Sequence, residues 1–346
     1  MELGLLLVGV IIITALAFDY TNGFHDAANA IATAVGSKSL KPKTALAIAA
    51  FGNLVGAFIS EGVAKTVGKG IIDVEASTNG LFVVLAALLG AIAWNLITWW
   101  FGLPSSSSHA LIGGLAGAAL AASQVVHWND PEVPWYDVTH QSGILGKVLI
   151  PMLISPLVGF TLAYGLAMAI IWTFRNAKRE KSVKGFKAAQ ATASTLMAVG
   201  HGLQDAQKTM GVITLALIVG GYQAADDDGI QTWVKIAAAL AISAGTYAGG
   251  WRIMATLGRR VTDMDLPRGL AAQSVASTVL YVMAIGLQAP ISTTHTITSS
   301  VLGAGATRGR KFVRWGVVSN ILGAWVLTLP ASAAIAAAFY FLFQLL

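Results

Sequence analysis

The chain has 346 residues, of which 55% are hydrophobic and only 11% are charged, with a formal net charge of +6. Soluble domains carry about 25% charged residues, so this composition indicates an integral membrane protein. The absence of cysteine excludes a disulfide framework and a thiolate metal site. The first residues lack the basic region and the cleavage site of a signal peptide, which predicts that the first apolar run stays as a membrane span.

Ten apolar runs follow one another along the chain, and most reach the roughly 20 residues that a membrane-spanning helix needs. They cover residues 3–36, 44–61, 79–101, 104–126, 143–174, 188–220, 235–258, 269–289, 290–306 and 316–345. The run at 290–306 is short for a complete crossing and is predicted to be half of a re-entrant hairpin. The pattern predicts an all-α integral membrane protein with ten to twelve membrane segments.

Basic residues between the runs predict which loops face the cytoplasm. Most Lys and Arg residues fall in four clusters, at 38–43, 175–187, 252–268 and 308–314. The positive-inside rule places all four inside, and it places the segments 127–141 and 221–232, which have no Lys or Arg, outside. Basic loops are expected beside membrane spans, so the net charge does not call for a nucleic-acid partner.

A first motif recurs in the two halves of the chain. N-G-F-H-D-A at 22–27 is echoed by H-G-L-Q-D-A at 201–206, so that Asp26 corresponds to Asp205. A weaker echo links T-V-G-K at 66–69 with T-L-G-R at 256–259.

A second motif recurs in the same order. P-S-S-S-S-H at 104–109 is echoed by P-I-S-T-T-H at 290–295, so that His109 corresponds to His295. Because the matches keep their order, we interpret the chain as a duplication.

The predicted topology makes the two copies antiparallel. If 38–43 lies inside, the N-terminus lies outside, and five net crossings bring the chain to the cytoplasmic linker at 175–187. An odd number of crossings inverts the second copy, so both termini are predicted to lie outside. The repeats would cover 1–174 and 188–346. Inverted repeats with broken helices and re-entrant hairpins are typical of secondary transporters, whose binding site lies between the repeats.

Each Asp motif places a carboxylate, polar groups and glycine inside an apolar run. A carboxylate facing lipid would cost several kcal/mol, so Asp26 and Asp205 are predicted to face the protein interior. We predict that both helices are broken there, because exposed backbone carbonyls beside a carboxylate can hold a cation or a proton. His25 adds a group that titrates near neutral pH, although a buried packing role is the alternative. The predicted coupling residues are Asn22, His25, Asp26, Asn29, Gln204 and Asp205.

The Ser/Thr motifs predict an anion site. Pro104 and Pro290 can each open a helix in its first turn, which places hydroxyl and free N–H groups at two helix N-termini. The alternative is that the hydroxyls cap these helices or bond to their own backbone. Duplication favours two facing helix starts that clamp one tetrahedral oxyanion. The predicted anion-binding residues are Ser106, Ser107, Ser108, Ser292, Thr293, Thr294, Gln207 and Lys208.

Lys208 and the histidines have less specific predicted roles. Lys208 either neutralises Asp205 or attracts the anion, and its counterpart in the first half is Asn29. His109, His201 and His295 are predicted to gate or support the site. No cofactor and no tightly bound metal are predicted.

Four motifs together resemble the inorganic phosphate transporter (Pit) family, particularly its bacterial low-affinity branch. They are N-G-F-H-D-A-A-N-A-I-A-T at 22–33, G-L-P-S-S-S-S-H at 102–109, H-G-L-Q-D-A-Q-K at 201–208 and P-I-S-T-T-H at 290–295. The likeness extends from Asp19 to the last span. It implies cation-coupled phosphate uptake through a bacterial or archaeal plasma membrane, a homodimer, and no enzymatic activity. It also implies co-transport of a proton with neutral metal–phosphate complexes.

The motifs leave the coupling ion and the anion open. Sodium-coupled members have Asn before both aspartates, whereas this chain has His25 and Gln204; the histidine agrees with the proton-coupled branch, and Gln204 departs from both. A sulfate permease of the same fold is the nearest alternative substrate class. A hydrolase built on Ser107, His109 and Asp26 lacks any G-x-S-x-G or H-E-x-x-H motif. A purely structural membrane protein would not need the buried carboxylates.

Overall fold

The computed structural model describes residues 2–134, 142–224, 226–227 and 229–345, and twelve α-helices make up most of them. The first six are α1 (Glu2–Gly36), α2 (Pro42–Gly56), α3 (Gly62–Lys69), α4 (Thr78–Trp100), α5 (Ser107–Ala121) and α6 (Ile150–Thr173). The last six are α7 (Arg179–Val219), α8 (Thr232–Ala248), α9 (Trp251–Ala255), α10 (Leu266–Tyr281), α11 (Thr293–Ala306) and α12 (Trp315–Phe343).

Short irregular elements extend or connect these helices. Single π-helical turns precede α6 at Leu145–Leu149, follow α9 at Thr256–Arg260 and follow α10 at Val282–Gly286, and a 3₁₀ turn forms at Arg310–Phe312. The strands β1 (Ile72–Asp73) and β2 (Val125–Val126) form a two-residue antiparallel ladder, with Ile72 opposite Val126. The other regular elements of the described residues are helices, so the predicted all-α class is confirmed.

Five described segments are long and apolar enough to cross a membrane. They are Leu3–Gly36, Thr78–Trp100, Leu145–Thr173, Leu266–Gly286 and Trp315–Phe343. Large apolar side chains on them face outward; Ile13 is 70% exposed and Val326 is 69% exposed. An apolar outer surface is what a lipid environment favours, whereas water would disfavour it. The membrane class predicted from the sequence is confirmed, and the number of membrane segments stays a prediction.

α5 and α11 are too short to cross a membrane. They have 15 and 14 residues and so span about 21–23 Å at 1.5 Å per residue, against a hydrocarbon core of about 30 Å. This length suits the predicted hairpin halves.

The prediction of broken helices at the Asp motifs is wrong. α1 runs without interruption through Asp26, and α7 through Asp205. The glycines in these motifs serve close packing, because a Cβ added at Gly23 would lie 2.4 Å from the carbonyl oxygen of Ile242. A Cβ at Gly202 would meet a carbonyl oxygen of α2 at 2.2 Å. One glycine costs a helix only about 1 kcal/mol, which tight packing offsets.

The prediction that Pro104 and Pro290 open α5 and α11 is also wrong. The two helices begin three residues further on, and serine side chains cap them. The Ser106 hydroxyl accepts the third amide N–H of α5 at 3.2 Å, and the Ser292 hydroxyl accepts that of α11 at 3.1 Å. A serine N-cap satisfies an amide that the helix itself cannot. The capping alternative therefore holds for Ser106 and Ser292.

The structure extends a helix into one predicted loop and describes only part of two others. α7 begins at Arg179, within the expected linker at 175–187, because no proline or turn signal follows and strong helix formers dominate the sequence. Residues 135–141 of the predicted external segment 127–141, and residues 225 and 228 of the segment 221–232, lie outside the described residues.

The helices of the two halves pack against each other in matched pairs. α1 packs on α8 as α7 packs on α2, and α5 packs on α12 as α11 packs on α6. α4 lies against α1 and α5, and α10 lies against α7 and α11. This arrangement brings the Asp-bearing middles of α1 and α7 next to the N-termini of α5 and α11.

Candidate functional site

Asp26 on α1 is buried inside the helix bundle, with 1% of its surface exposed. It accepts hydrogen bonds from Ser107 at 3.1 Å and from Thr294 at 3.3 Å, and Thr293 lies at 3.5 Å. The Nδ1 atom of His25 lies 2.7 Å from Asp26 Oδ1. Hydroxyls from both predicted anion-binding motifs therefore converge on one carboxylate.

Asp205 has a different set of partners. It forms a buried ion pair with Lys208, and the Nε2 atom of His201 lies 3.0 Å from Oδ2. Asn22 and Thr293 donate to the same oxygen, each at 3.4 Å. Asp205 thus has the cationic partner that Asp26 lacks.

Thr293 and His201 join the two carboxylates into one site. The Thr293 hydroxyl lies within hydrogen-bond distance of both, and His201 Nε2 lies 3.9 Å from Asp26 Oδ2. One ligand atom each from Asp26, His201 and Asp205 lies within 4.8 Å of the others. The three side chains are therefore close enough to contact a single cation.

Lys208 and Asn29, which occupy matching positions, each reach a helix start in the opposite half. Lys208 contacts the Ser108 hydroxyl and donates to the carbonyl oxygen of Ile291 at 3.2 Å. Asn29 donates to Thr294 at 2.9 Å. Both side chains are buried, so they connect the Asp-bearing helices to the Ser/Thr motifs. Lys208 contacts both Asp205 and a predicted anion donor, Ser108, so the contacts are compatible with both of its predicted roles.

The side chains of two predicted site residues, Gln207 and Gln204, form hydrogen bonds to other parts of the bundle. The side-chain oxygen of Gln207 accepts the backbone N–H groups of Val63 and Ala64 at 2.9 and 3.2 Å, so Gln207 on α7 caps the N-terminus of α3. Gln204 donates to the carbonyl of Ala289 at 3.2 Å. The structure therefore does not place the Gln207 side chain with the anion donors.

The remaining histidines form a separate ring contact behind the helix starts. The rings of His109 and His295 lie edge to face with centroids 4.8 Å apart, and Trp325 stacks on His295 at 3.8 Å. Trp325 in turn donates to the carbonyl of Pro104 at 3.0 Å. This packing holds the segment before α5 against α11 and α12, which suits the predicted supporting role.

Sequence reasoning missed several polar neighbours. Thr98 and Ser105 lie 3.2 and 3.5 Å from His25 Nε2, and Asn53 contacts His201 Nδ1 at 3.0 Å. Asp19 is fully buried on α1. A polar residue inside an otherwise apolar helix is a signal for each of Asp19, Asn53 and Thr98. Distances across the bundle cannot be read from that signal.

A buried cluster of carboxylates, hydroxyls and one ammonium inside an apolar helix bundle is typical of a membrane transport protein. Comparison with known proteins agrees. The sequence profile described as the Phosphate transporter family matches residues 22–336, so the chain belongs to this family, and the resemblance inferred from the motifs is confirmed.

Three relatives illustrate the match. A protein of Bacillus subtilis (strain 168) is 42% identical over the full length of both chains, and one of Rhizobium meliloti (strain 1021) is 43% identical over 97% of this chain and 96% of its own. Both are named "Probable low-affinity inorganic phosphate transporter". A solved structure titled "The sodium-dependent phosphate transporter" aligns with a TM-score of 0.80 at 25% identity, covering 98% of this chain and 99% of its own. These relatives are named as transporters, which agrees with the prediction that the protein is not an enzyme.

Proposed function

We propose that the protein imports inorganic phosphate by cation symport, with a proton as the favoured coupling ion. The family and the names of the relatives support phosphate as the substrate. The observation that carries symport is that Ser107 and Thr293 donate directly to carboxylates. The donors suited to an oxyanion thus share one buried site with Asp26 and Asp205.

Charge explains why this site needs a cation. Phosphate brings a charge of about −1 to −2 near neutral pH. Next to a carboxylate 4 Å away it would be repelled by about 4 kcal/mol at an effective dielectric constant of 20. Lys208 already pairs with Asp205, so a further positive charge has to arrive with the anion. Binding of phosphate and binding of the cation are therefore coupled.

His25 favours a proton as that charge, because imidazole is a nitrogen base that can carry a proton, and its Nδ1 atom lies 2.7 Å from Asp26 Oδ1. Sodium prefers oxygen ligands, and the longer side chain of Gln204 replaces the amide expected there in sodium-coupled members. The sodium-dependent structural relative supports the alternative ion. A divalent metal complexed with phosphate would be cargo, and Asp26, His201 and Asp205 are placed to contact it.

Phosphate suits the carboxylates better than sulfate does. A protonated phosphate oxygen can donate a hydrogen bond to Asp26, whereas fully ionised sulfate has no donor. We therefore keep sulfate as the competing anion in any binding assay.

The matched helix pairs support two repeats inserted in opposite orientations, at 1–174 and 188–346. With both termini outside, the linker at 175–187 lies in the cytoplasm. A cysteine at Ser182 should react only with a permeant reagent in intact cells, which is a clean test because the chain has no cysteine. Labelling by an impermeant reagent from outside would overturn this topology. The homodimer that the family resemblance implies belongs to the same proposal.

The coupling ion is tested by uptake of labelled phosphate into proteoliposomes, with proton and sodium gradients imposed separately. We expect an inward proton gradient to drive accumulation and a sodium gradient at constant pH to have little effect. His25→Asn should remove the proton dependence, because the amide does not titrate. Accumulation driven by sodium alone would show that the proton assignment is wrong.

A further inference from the structure

Asp19 is a buried carboxylate that the site described above does not use. It lies on α1 two helical turns before Asp26 and is 0% exposed. Within the part of the chain that the structure describes, neither of its carboxylate oxygens has a partner at hydrogen-bond distance. Because an unpaired carboxylate inside a membrane protein is costly, such a group is expected to bind a cation or a proton.

Two further oxygen atoms accompany this carboxylate. The hydroxyl of Thr209, on α7, lies beside Asp19, and among the described residues it too has no partner at hydrogen-bond distance. Asn22 follows Asp19 by one turn of α1. Its side-chain nitrogen donates to Asp205, while its side-chain oxygen has no hydrogen-bond partner among the residues described. The unsatisfied groups are thus all oxygens, the ligands that hard cations prefer.

Among the described residues, the charged or titratable groups that influence Asp19 include Asp205, His201 and Lys208 of α7. Asp26 lies further along α1. α4 contains no acidic, basic or histidine residue, and Lys235 of α8 pairs with Glu61. Lys208 forms a direct ion pair with Asp205, so its positive charge is already balanced by that carboxylate and does not balance Asp19 as well.

The duplicated half has no equivalent of this feature. When α1 and α7 are aligned on Asp26 and Asp205, Asp19 corresponds to Ala198 and Thr209 corresponds to Ala30. Both alanines are buried. A carboxylate–hydroxyl pair therefore exists on one side of the central site, and two methyl groups occupy the mirror position. In the proposed topology the polar side faces outside.

On the basis of the proposed symport, we propose that Asp19, Asn22 and Thr209 form a further cation site on the extracellular side of the Asp26–Asp205 pair. The site loads the coupling cation before phosphate binds. For a proton, the Asp19 carboxylate takes H⁺ from external water and becomes a neutral carboxyl group, and the proton leaves to cytoplasmic water after transport. If the cation is sodium, the side-chain oxygens of Asp19, Asn22 and Thr209 are its ligands. The cation bound at this site adds positive charge next to Asp205, which favours binding of the incoming phosphate.

The test separates phosphate exchange from phosphate accumulation in proteoliposomes. Asp19→Asn removes the charge and keeps the shape. It should keep exchange of labelled for unlabelled phosphate within about threefold of the wild type, and lose gradient-driven accumulation by about tenfold or more. Glu61→Gln makes the same chemical change outside the site and should match the wild type. Thr209→Val should raise the half-saturating cation concentration by about tenfold.

The outcomes distinguish the two proposals. Imposing a proton gradient and a sodium gradient separately on wild-type proteoliposomes identifies the coupling cation. If neither gradient drives phosphate accumulation, the proposed symport itself is wrong. With symport intact, wild-type accumulation by Asp19→Asn would overturn the cation site. Equal loss of exchange and accumulation would also overturn it, because Asp19 would then belong to phosphate binding. If Asp19→Asn does not fold, unchanged cation dependence in Thr209→Val is the contradicting result.

Discussion

Asp26 and Asp205 occupy matching positions on α1 and α7, yet their neighbours differ in charge. Asp205 contacts the ammonium group of Lys208, whereas Asp26 contacts hydroxyls and histidines. The residue that corresponds to Lys208 is the neutral Asn29. The Lys208 ion pair balances the charge of Asp205, and Asn29 offers Asp26 no such charge. Under the proposed symport, Asp26 is therefore the carboxylate that we expect to exchange a cation.

The largest expected effect of breaking this asymmetry is at Lys208. Lys208→Met leaves Asp205 buried without its cation, and removal of one partner of a buried ion pair costs about 3–5 kcal/mol. We expect a strongly lowered midpoint of thermal unfolding in detergent and loss of phosphate uptake.

Lys235→Met is the matched control. Lys235 pairs with Glu61, but the side chains are 23% and 35% exposed, so the expected cost is about 0–1 kcal/mol. The double variant Lys208→Met with Asp205→Asn restores neutrality and should recover much of the stability without recovering uptake. Equal stability of Lys208→Met and Lys235→Met would contradict a buried, neutralising role for Lys208.

A second difference between the halves is Gln207, whose counterpart in the first half is Ala28. Gln207→Ala removes the side-chain cap of α3, and loss of a helix cap costs about 0.5–2 kcal/mol. Stability should fall by this amount while phosphate affinity, measured by equilibrium binding, stays unchanged. An unchanged unfolding midpoint with weakened phosphate binding would instead return Gln207 to the anion site.

The same asymmetry shows what a sequence can predict. The paired motifs predicted that Asp26, Asp205 and two Ser/Thr helix starts belong to one site, because buried carboxylates and duplicated hydroxyls have few other uses. Helix continuity was not predicted. In the sequence, Gly23 suggests a break in the helix. In the structure, the carbonyl oxygen of Ile242 occupies the space that a side chain at position 23 would need, so the glycine serves packing instead.

The hydrogen-bond partners of side chains across the bundle could not be predicted from the sequence either. Ser106 and Ser107 are adjacent in the sequence, yet one caps α5 and the other donates to Asp26. Gln207 and Lys208 also look equivalent as anion ligands, but the side chain of Gln207 turns to α3. These assignments depend on helix rotation, which long-range packing decides.

The central claim is that the two hydroxyl-bearing helix starts and the two carboxylates form one phosphate site. It is tested most directly by equilibrium phosphate binding in detergent to Ser107→Ala and Thr293→Ala. Each variant should bind phosphate about 1–3 kcal/mol more weakly than the wild type, because a buried anion loses a donor. Ser300→Ala, which removes a buried hydroxyl of α11 that bonds to its own helix, should bind as the wild type does. Wild-type affinity in both site variants would place phosphate elsewhere and contradict the account.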